Sequence, residues 1–336
     1  MKKIIAIITV CLLAFSQMAF AADFADMPDN WATASLQAAV DNGLLTGSGG
    51  YIYPDNNMTR AEMATIMARA CAASSEADIS AFTDVKSEDW FYSSMAKAVA
   101  MGAFTGADNK LNPNDPITRQ EAFVVLARVF SLNLDKNIDT TILNDYKDGA
   151  AVASWAKEAV AAIISNGYVT GADGYLNPES NISRAEFAAV MNRLVSYYVD
   201  DASVNTVPSD GNVMVRVGGI TLDGIKSDKM LVLGDGIGKA EVKIINADLS
   251  GKVVIRGGET VTAAGKFGEL RVVQPNITLE CGSAEAKRIY CCRDSVVDIG
   301  TILATDNGET VNDNAESNGA ETEKQAENAA EGEEEK

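Results

Sequence analysis

Apolar residues follow a helical period through the first half of the chain. After Thr59 they fall at Met63, Ile66, Met67 and Ala70, which share one face of a helix with about 3.6 residues per turn. The stripe returns at Phe123, Leu126 and Phe130, and again at Phe187, Val190, Met191 and Leu194. A shorter apolar helix precedes each stripe and ends at a glycine suited to the left-handed cap conformation, namely Gly43, Gly102 and Gly167. The pattern predicts three helix–loop–helix units.

The three units share one register. A tryptophan precedes an arginine at the same spacing in each unit, in the pairs Trp31 and Arg60, Trp90 and Arg119, and Trp155 and Arg184. A loop glycine also precedes that arginine at a constant spacing, at Gly47, Gly106 and Gly171, and a proline does so at Pro54, Pro113 and Pro178. Spacings matched in three copies indicate an architecture of stacked repeats.

The pattern changes from helical to β after about residue 213. Short apolar triplets recur every 11 residues, as ITL at 220–222, LVL at 231–233, VKI at 242–244 and VVI at 253–255, with turn residues between them. Even strand spacing suits a small all-β domain. A β-solenoid with two 11-residue steps per coil is the favoured interpretation, and a β-sandwich is the alternative.

A tetrapeptide opens the second helix of each unit, as TRAE at 59–62, TRQE at 118–121 and SRAE at 183–186. Its hydroxyl residue and its glutamate fit a capping box, in which each bonds the backbone amide of the other. That role explains the six residues Thr59, Glu62, Thr118, Glu121, Ser183 and Glu186. It leaves the arginine unexplained, because a cation at a helix N-terminus is mildly unfavourable.

Two hypotheses account for the arginines. In the favoured one, each arginine joins the free amides of the helix start to bind an anion. In the other, each arginine forms an internal ion pair with an aspartate such as Asp26, Asp84 or Asp148. A tryptophan near the same loop could add a stacking surface for a sugar ring.

These motifs resemble the S-layer homology (SLH) domain. The matching residues are FADM, FTDV and YKDG followed by tryptophan, the loops GLLTG and GAFTG, the YP or NP step, and TRAE, TRQE and SRAE. Copy three departs from the others with Tyr146 for phenylalanine and a longer gap between Asp148 and Trp155.

The resemblance covers residues 24–197 and implies an α-helical pseudo-threefold bundle. It also implies non-covalent binding of anionic secondary cell-wall polysaccharide or peptidoglycan. The residues that it assigns to the ligand are Arg60, Arg119, Arg184, Trp31, Trp90, Trp155, Gly47, Gly106 and Gly171.

Composition narrows the chemistry. The net charge of −19 argues against nucleic acid as a partner. The chain has no histidine, which excludes Ser-His-Asp and Cys-His catalysis and any histidine-ligated metal. We expect no cofactor and no metal. No segment of the mature chain is long and apolar enough for a transmembrane span.

The expected boundaries are a signal peptide at 1–21, SLH repeats at 22–70, 82–131 and 145–198, a linker at 199–212, a β-rich domain at 213–303 and a disordered acidic tail at 304–336. The basic start and apolar run of residues 2–15 carry the signal-peptide prediction. Export allows a disulfide between Cys281 and Cys291 or Cys292, with buried free thiols as the alternative.

The sequence thus predicts an exported, non-enzymatic protein held at the cell wall and cell surface. The alternative is a wall- or polysaccharide-acting enzyme in which the β region is the catalytic or substrate-binding module. A third hypothesis makes the β region a self-association module.

Overall fold

The computed structural model describes residues 24–132, 138–292 and 294–298, together with the backbone of 310–312. The predicted signal peptide lies outside the described residues. So does the predicted acidic tail, except for 310–312, which form a strand.

Six α-helices make up the first half of the described chain, and they confirm the three helix–loop–helix units. They are α1 (Thr33–Asp41), α2 (Arg60–Ala70), α3 (Tyr92–Ala100), α4 (Arg119–Val129), α5 (Lys157–Ser165) and α6 (Arg184–Leu194). Three short 3-10 helices lie before α5, at Thr140–Asp145, Gly149–Ala151 and Ser154–Ala156. The glycines predicted to end the first helices have φ near +70°, at Gly43, Gly102 and Gly167.

The repeats interlock in a closed ring. Helix α3 of copy two packs on α2 of copy one, α5 of copy three packs on α4 of copy two, and α1 of copy one packs on α6 of copy three. Isolated β-bridges join the segments that lead into the second helices, at Asn57–Ser183, Thr59–Pro116 and Thr118–Asn181. Each copy therefore completes its neighbour, as the pseudo-threefold bundle requires.

The second half is a parallel β-solenoid of about five turns. Its strands are β1 (Tyr197–Val199), β2 (Val213–Val215), β3 (Thr221–Asp223), β4 (Lys226–Ser227), β5 (Leu231–Leu233), β6 (Val242–Ile255), β7 (Thr260–Val272), β8 (Thr278–Cys291), β9 (Val296–Asp298) and β10 (Thr310–Asn312). Every strand pair in the described part is parallel. The solenoid prediction is confirmed, and the β-sandwich alternative is wrong.

The coils have three sides rather than the two implied by the regular spacing of the triplets. Successive sections of β6 pair with β3, β4 and β5 in turn. The stretch of chain from Leu231 to its partner Val253 is also longer than the stretch from Val253 to its next partner, Leu270. Two 11-residue steps therefore match the length of the coil from Leu231 to Val253 but not the length of the next coil.

The segment predicted as a linker, 199–212, belongs to the solenoid. Strand β1 already pairs with β2, and Val204 and Val207 pack against the solenoid core. The Asn205 carbonyl accepts a hydrogen bond from the amide of Asp223 at 2.9 Å. This stretch is polar, and it was therefore predicted as a linker, but it forms the first coil of the solenoid. That coil follows the helical bundle without a spacer.

One side of the solenoid docks on the helices. Met214, Val232 and Val254 occupy neighbouring positions on β2, β5 and β6 and belong to the core of the helical bundle. Their neighbours in each strand point into the solenoid core. Strands buried on both faces lose the alternation of apolar and polar residues, which explains the uninterrupted triplets VMV, LVL and VVI.

Polar side chains of the solenoid cap the C-terminal ends of the helices. Arg256 donates to the carbonyls of Val129 in α4 (3.0 Å) and Met101 after α3 (2.8 Å), while Asp235 accepts from its Nε at 2.7 Å. Arg256 is buried. Because the last carbonyls of a helix have no partner within it, a buried cation there is stabilising.

The first and third repeats are capped in the same way. Arg216 donates to the carbonyls of Asn42 (3.1 Å) and Arg69 (3.4 Å), and its own Nε pairs with Asp200. The side-chain amide Nδ2 of Asn212 donates to the carbonyl of Leu194 at 3.0 Å. The solenoid thus meets all three copies at their helix C-termini.

All four described cysteines are free thiols, and Cys71, Cys281 and Cys291 are buried. The predicted disulfide is therefore not formed, and the free-thiol alternative holds. Burial raises the pKa of the Cys71 thiol to about 12. Cys71 lies at the junction with the solenoid, where its carbonyl accepts from Gly236 at 2.8 Å.

We expect Arg256→Met to lower the free energy of unfolding by about 3 kcal/mol, because it leaves Asp235 and two helix carbonyls buried without their donor. Urea unfolding of the full chain measures this.

Mass spectrometry of the Arg256→Met variant after iodoacetamide treatment at pH 8 should also show faster modification of Cys71, whose thiolate is scarce while the junction is closed.

Lys243→Met is the matched control, since Lys243 is half exposed and pairs with Glu241 on the surface. It should change the free energy of unfolding by at most about 1 kcal/mol. Equal effects of the two substitutions would contradict the capping role of Arg256.

Candidate functional site

The capping boxes predicted from the tetrapeptides are present in all three copies. The Thr59 hydroxyl accepts from the Glu62 amide at 3.2 Å, and the Glu62 carboxylate accepts from the Thr59 amide at 2.8 Å. Thr118 with Glu121, and Ser183 with Glu186, form the same pair of bonds. These residues explain where α2, α4 and α6 begin.

The remaining amides at the helix starts are occupied by the next repeat. The Arg60 amide donates to the Asp115 carbonyl at 3.0 Å, and the Ala61 amide donates to the Pro113 carbonyl at 2.9 Å. The equivalent bonds are Arg119 to Ser180, Gln120 to Pro178, Arg184 to Asn56 and Ala185 to Pro54. The expectation that free amides join the arginines to bind an anion is therefore wrong, because neighbouring loops already use those amides.

The three arginines form a cyclic set of ion pairs between copies. Each pairs with the capping-box glutamate of another copy: Arg60 with Glu121 (3.4 Å), Arg119 with Glu186 (2.9 Å) and Arg184 with Glu62 (3.1 Å). We call these six residues the Arg–Glu ring. Each arginine places its charge beside a partly buried carboxylate, which compensates for its position against the helix dipole.

Each arginine also fixes a loop of the copy that it reaches. Arg60 Nε donates to the Leu111 carbonyl at 2.9 Å, Arg119 Nε to the Leu176 carbonyl at 2.8 Å, and Arg184 Nε to the Ile52 carbonyl at 2.9 Å. Arg184 also donates to the Thr46 carbonyl at 3.2 Å. The guanidinium groups are consequently mostly buried and bound to protein acceptors.

The aspartates considered as partners of the arginines have a different role. Asp26 accepts from the amides of Ile52 and Tyr53, both at 2.7 Å. Asp84 binds Leu111 and Asn112, and Asp148 binds Leu176 and Asn177, in the same way. The arginine and the aspartate thus hold the same loop from two sides without touching each other in this arrangement.

The loop glycines allow close packing in the same region. A Cβ atom on Gly47 would lie 2.1 Å from the Phe24 ring and 2.3 Å from the Tyr51 carbonyl oxygen. Gly106 meets Phe82 and Gly171 meets Tyr146 in the equivalent places. The structure therefore gives these glycines a packing role that positions the loop.

The tryptophans differ between copies. Trp31 and Trp90 expose 64% and 66% of their surface, whereas Trp155 is partly buried against the helical core. Trp155 lies in a 3-10 helix that the first two copies lack at this point. Exposed aromatic rings of this size are typical of binding surfaces.

The structure regroups the predicted site residues. The sequence paired each tryptophan with the arginine that follows it in the same copy. In the structure, Arg184 reaches the loop of copy one, Arg60 that of copy two and Arg119 that of copy three. Each candidate site is therefore built by two copies, with the arginine supplied by the second helix of another repeat.

Sequence reasoning missed the glutamates as partners of the arginines. Glu62, Glu121 and Glu186 were assigned only to capping, although one carboxylate oxygen caps and the other pairs with arginine. The signal that could have revealed them was the fixed one-to-one occurrence of arginine and glutamate in every tetrapeptide.

The candidate sites lie at the end of the bundle opposite the solenoid. The Arg–Glu ring surrounds the N-termini of α2, α4 and α6, whereas the solenoid caps their C-terminal regions. An eleven-residue helix such as α2 separates the two ends by about 16 Å. The docked solenoid therefore leaves the loop end of the bundle accessible.

The family model for the S-layer homology domain matches residues 23–64, 81–123 and 145–188. The chain carries three S-layer homology domains. Their boundaries coincide with the three units that close the Arg–Glu ring.

Three relatives show the range of proteins that share this region. The chain is 31% identical to the surface-layer 125 kDa protein of Lysinibacillus sphaericus over 54% of its own length and 16% of that protein. It is 30% identical to an amylopullulanase of Thermoanaerobacterium thermosulfurigenes over 50% of its length and 9% of that protein. It is 30% identical to the cellulosome-anchoring protein of Acetivibrio thermocellus over 43% of its length and 33% of that protein.

The matched region spans a third or less of each of these relatives. SLH domains and surface-layer relatives together indicate a cell-surface, cell-wall-associated protein. One of these three relatives is named as an enzyme, so the presence of SLH domains does not by itself decide whether a protein is catalytic. Within the described residues, no helix has the length and apolarity to cross a membrane.

We expect Asp26→Ala to lower the free energy of unfolding by about 2–4 kcal/mol, because two loop amides lose a charged acceptor. Urea unfolding of the full chain provides the measurement. Asp55→Ala, at an exposed position in the same loop, is the control and should stay within about 0.5 kcal/mol of the wild type. A neutral Asp26→Ala would show that the aspartate does not hold the loop.

Proposed function

We propose that this protein is a non-catalytic anchor that binds wall polysaccharide or peptidoglycan through its three SLH domains. The observation that supports the proposal best is the exposure of Trp31 and Trp90, in a bundle whose loops are held in place by arginine and aspartate. A preorganised loop lowers the entropic cost of binding. An exposed indole offers a flat apolar face and an N–H donor to a sugar ring.

Within this proposal the tryptophans, the glycines and the arginines that the family resemblance assigns to the ligand each have a role. The tryptophans contact the sugar, and the glycines Gly47, Gly106 and Gly171 shape the loop. The arginines Arg60, Arg119 and Arg184 position the loops, and the small exposed part of each guanidinium meets an anionic substituent of the polymer. Its N–H groups favour carboxylates because a guanidinium binds them with matched geometry.

Three sites on one rigid bundle suit a polymeric ligand. Once one site holds the polymer, a second site on the same bundle meets a neighbouring sugar at a high effective concentration. Modest individual affinities are therefore sufficient for stable attachment. The location of the sites opposite the solenoid supports an arrangement in which the bundle faces the wall.

The alternative of a catalytic β region finds less support in the solenoid's charged groups. Asp235 is paired with Arg256, and Glu269 is buried among Lys252 (3.7 Å), Arg271 (2.9 Å) and Arg288 (3.0 Å). Carboxylates neutralised in this way serve structure and are poorly suited to proton transfer. We therefore assign the solenoid a presenting or associating role, with self-association tested by sedimentation velocity of the full chain.

The decisive test is co-sedimentation of the full chain with purified bacterial cell walls. We expect Trp31→Ala combined with Trp90→Ala to weaken wall binding by about tenfold or more, since two stacking surfaces are lost. Because both side chains are exposed, the thermal midpoint should change little.

Val296→Ala is the control for the loss of exposed apolar surface, because Val296 is the large exposed apolar residue of the described solenoid. It should bind walls as the wild type does. Undiminished wall binding by the double tryptophan variant would reject the assignment of the tryptophans, and a wild-type chain that stays in the supernatant would reject the anchor itself.

A further inference from the structure

Copy one carries a tyrosine at a backbone position that disfavours it. Tyr53 has φ +54°, in the left-handed region. The equivalent residues of copies two and three are Asn112 and Asn177, with φ +49° and +51°. Asparagine is enriched in this conformation, whereas a bulky side chain there is an outlier. The backbone conformation at Tyr53 therefore lowers the local stability of copy one.

Packing does not compensate for that cost. Tyr53 exposes 40% of its surface, and its hydroxyl donates to the Ser48 carbonyl at a long 3.3 Å. A residue held in an unfavourable conformation without burial points to a role at a functional site.

A second exposed ring lies beside the first. Tyr51 exposes 46% of its surface, and its ring centroid is 5.8 Å from that of Tyr53, with the planes tilted by 31°. We call the two rings the tyrosine platform. Isolated apolar side chains on a surface need no explanation, but adjacent exposed rings mark a contact surface.

The other copies lack this platform. Lys110 and Asn112 occupy the two positions in copy two. In copy three Tyr175 is exposed, but the Lys147 ammonium group lies 4.6 Å from its ring centroid, and Asn177 takes the place of the second ring. The three sites are thus chemically different, although the loops that carry them share one backbone design.

The backbone that carries the platform is held in place. Asp26 binds the amides of Ile52 and Tyr53, and Arg184 donates to the carbonyl of Ile52, the residue between the two tyrosines. Two fixed and exposed rings match a sugar ring that presents an apolar C–H face. The chain itself is acidic overall, so contact with an anionic polymer depends on short-range stacking more than on long-range attraction.

We propose that the tyrosine platform is a pyranose-binding subsite, which makes the copy-one site the strongest of the three for the wall polymer. This proposal rests on the wall-binding function proposed above. The ring of one sugar residue lies across Tyr51 and Tyr53, and the polymer continues toward the other copies.

The test is Tyr53→Asn in the full chain, which installs the residue that copies two and three carry at the same φ. The thermal midpoint should stay unchanged or rise, because asparagine relieves the strained position. The dissociation constant for polysaccharide released from purified walls should rise about threefold to tenfold, the loss expected for one aromatic contact.

Tyr51→Ala should weaken binding to a similar extent. Val296→Ala, on the solenoid and outside the three loops, is the control and should leave the dissociation constant within about twofold of the wild type. This pattern of lost binding with retained stability separates a ligand contact from a structural role.

Two results would overturn the platform while leaving the anchor intact. One is a wild-type affinity in Tyr53→Asn, and the other is a clear fall in its thermal midpoint, which would make the ring structural. A wild-type chain that binds neither walls nor released polysaccharide rejects the anchor, and the platform with it.

Discussion

Every helix leaves amides at its start and carbonyls at its end without partners inside the helix, and this constraint organises the whole molecule. In the bundle, the amides at the starts of α2, α4 and α6 donate to side chains of their own copy and to loop carbonyls of another copy. Capping-box side chains take two amides, and loop carbonyls of the next copy take two more. Because each copy supplies what another lacks, a single SLH unit would expose these groups, and three units close the set.

The Arg–Glu ring also contributes to the capping of the helix starts. Each glutamate uses one oxygen to cap its own helix and the other to bind an arginine from another copy. Each arginine in turn fixes a loop of another copy, and the loop fixed by Arg184 carries the exposed Tyr51 and Tyr53. The contacts that assemble the bundle therefore also shape the candidate binding surface, and assembly and binding cannot be separated by changing the arginines alone.

At the C-terminal ends of the helices, backbone carbonyls accept hydrogen bonds from side chains of the solenoid. Arg216, Arg256 and Asn212 each reach carbonyls at the C-terminal side of one repeat. This arrangement explains why the first coil follows the bundle without a spacer. It also places the loops at one end of the helical bundle and the solenoid at the other.

The sequence predicted the elements well because helix caps, glycine stops and strand triplets are local signals. The capping boxes at Thr59, Thr118 and Ser183 and the helix-ending glycines needed no tertiary information. The partners of the arginines could not be predicted, because Arg184 and Glu62 are 122 residues apart. The first solenoid coil was also missed, since residues 199–212 obtain their order from neighbouring strands and not from their own apolar content.

A double-mutant cycle between Arg184 and Glu62 tests the closure of the ring most directly. Arg184→Met, Glu62→Gln and the double variant would be compared by urea unfolding of the full chain, beside a second cycle between Arg60 and Glu62 of the same copy. Closure between copies predicts a coupling energy of about 1–3 kcal/mol for Arg184 with Glu62 and additivity within about 0.5 kcal/mol for Arg60 with Glu62. Additive effects of Arg184 and Glu62, with coupling found instead inside copy one, would contradict it.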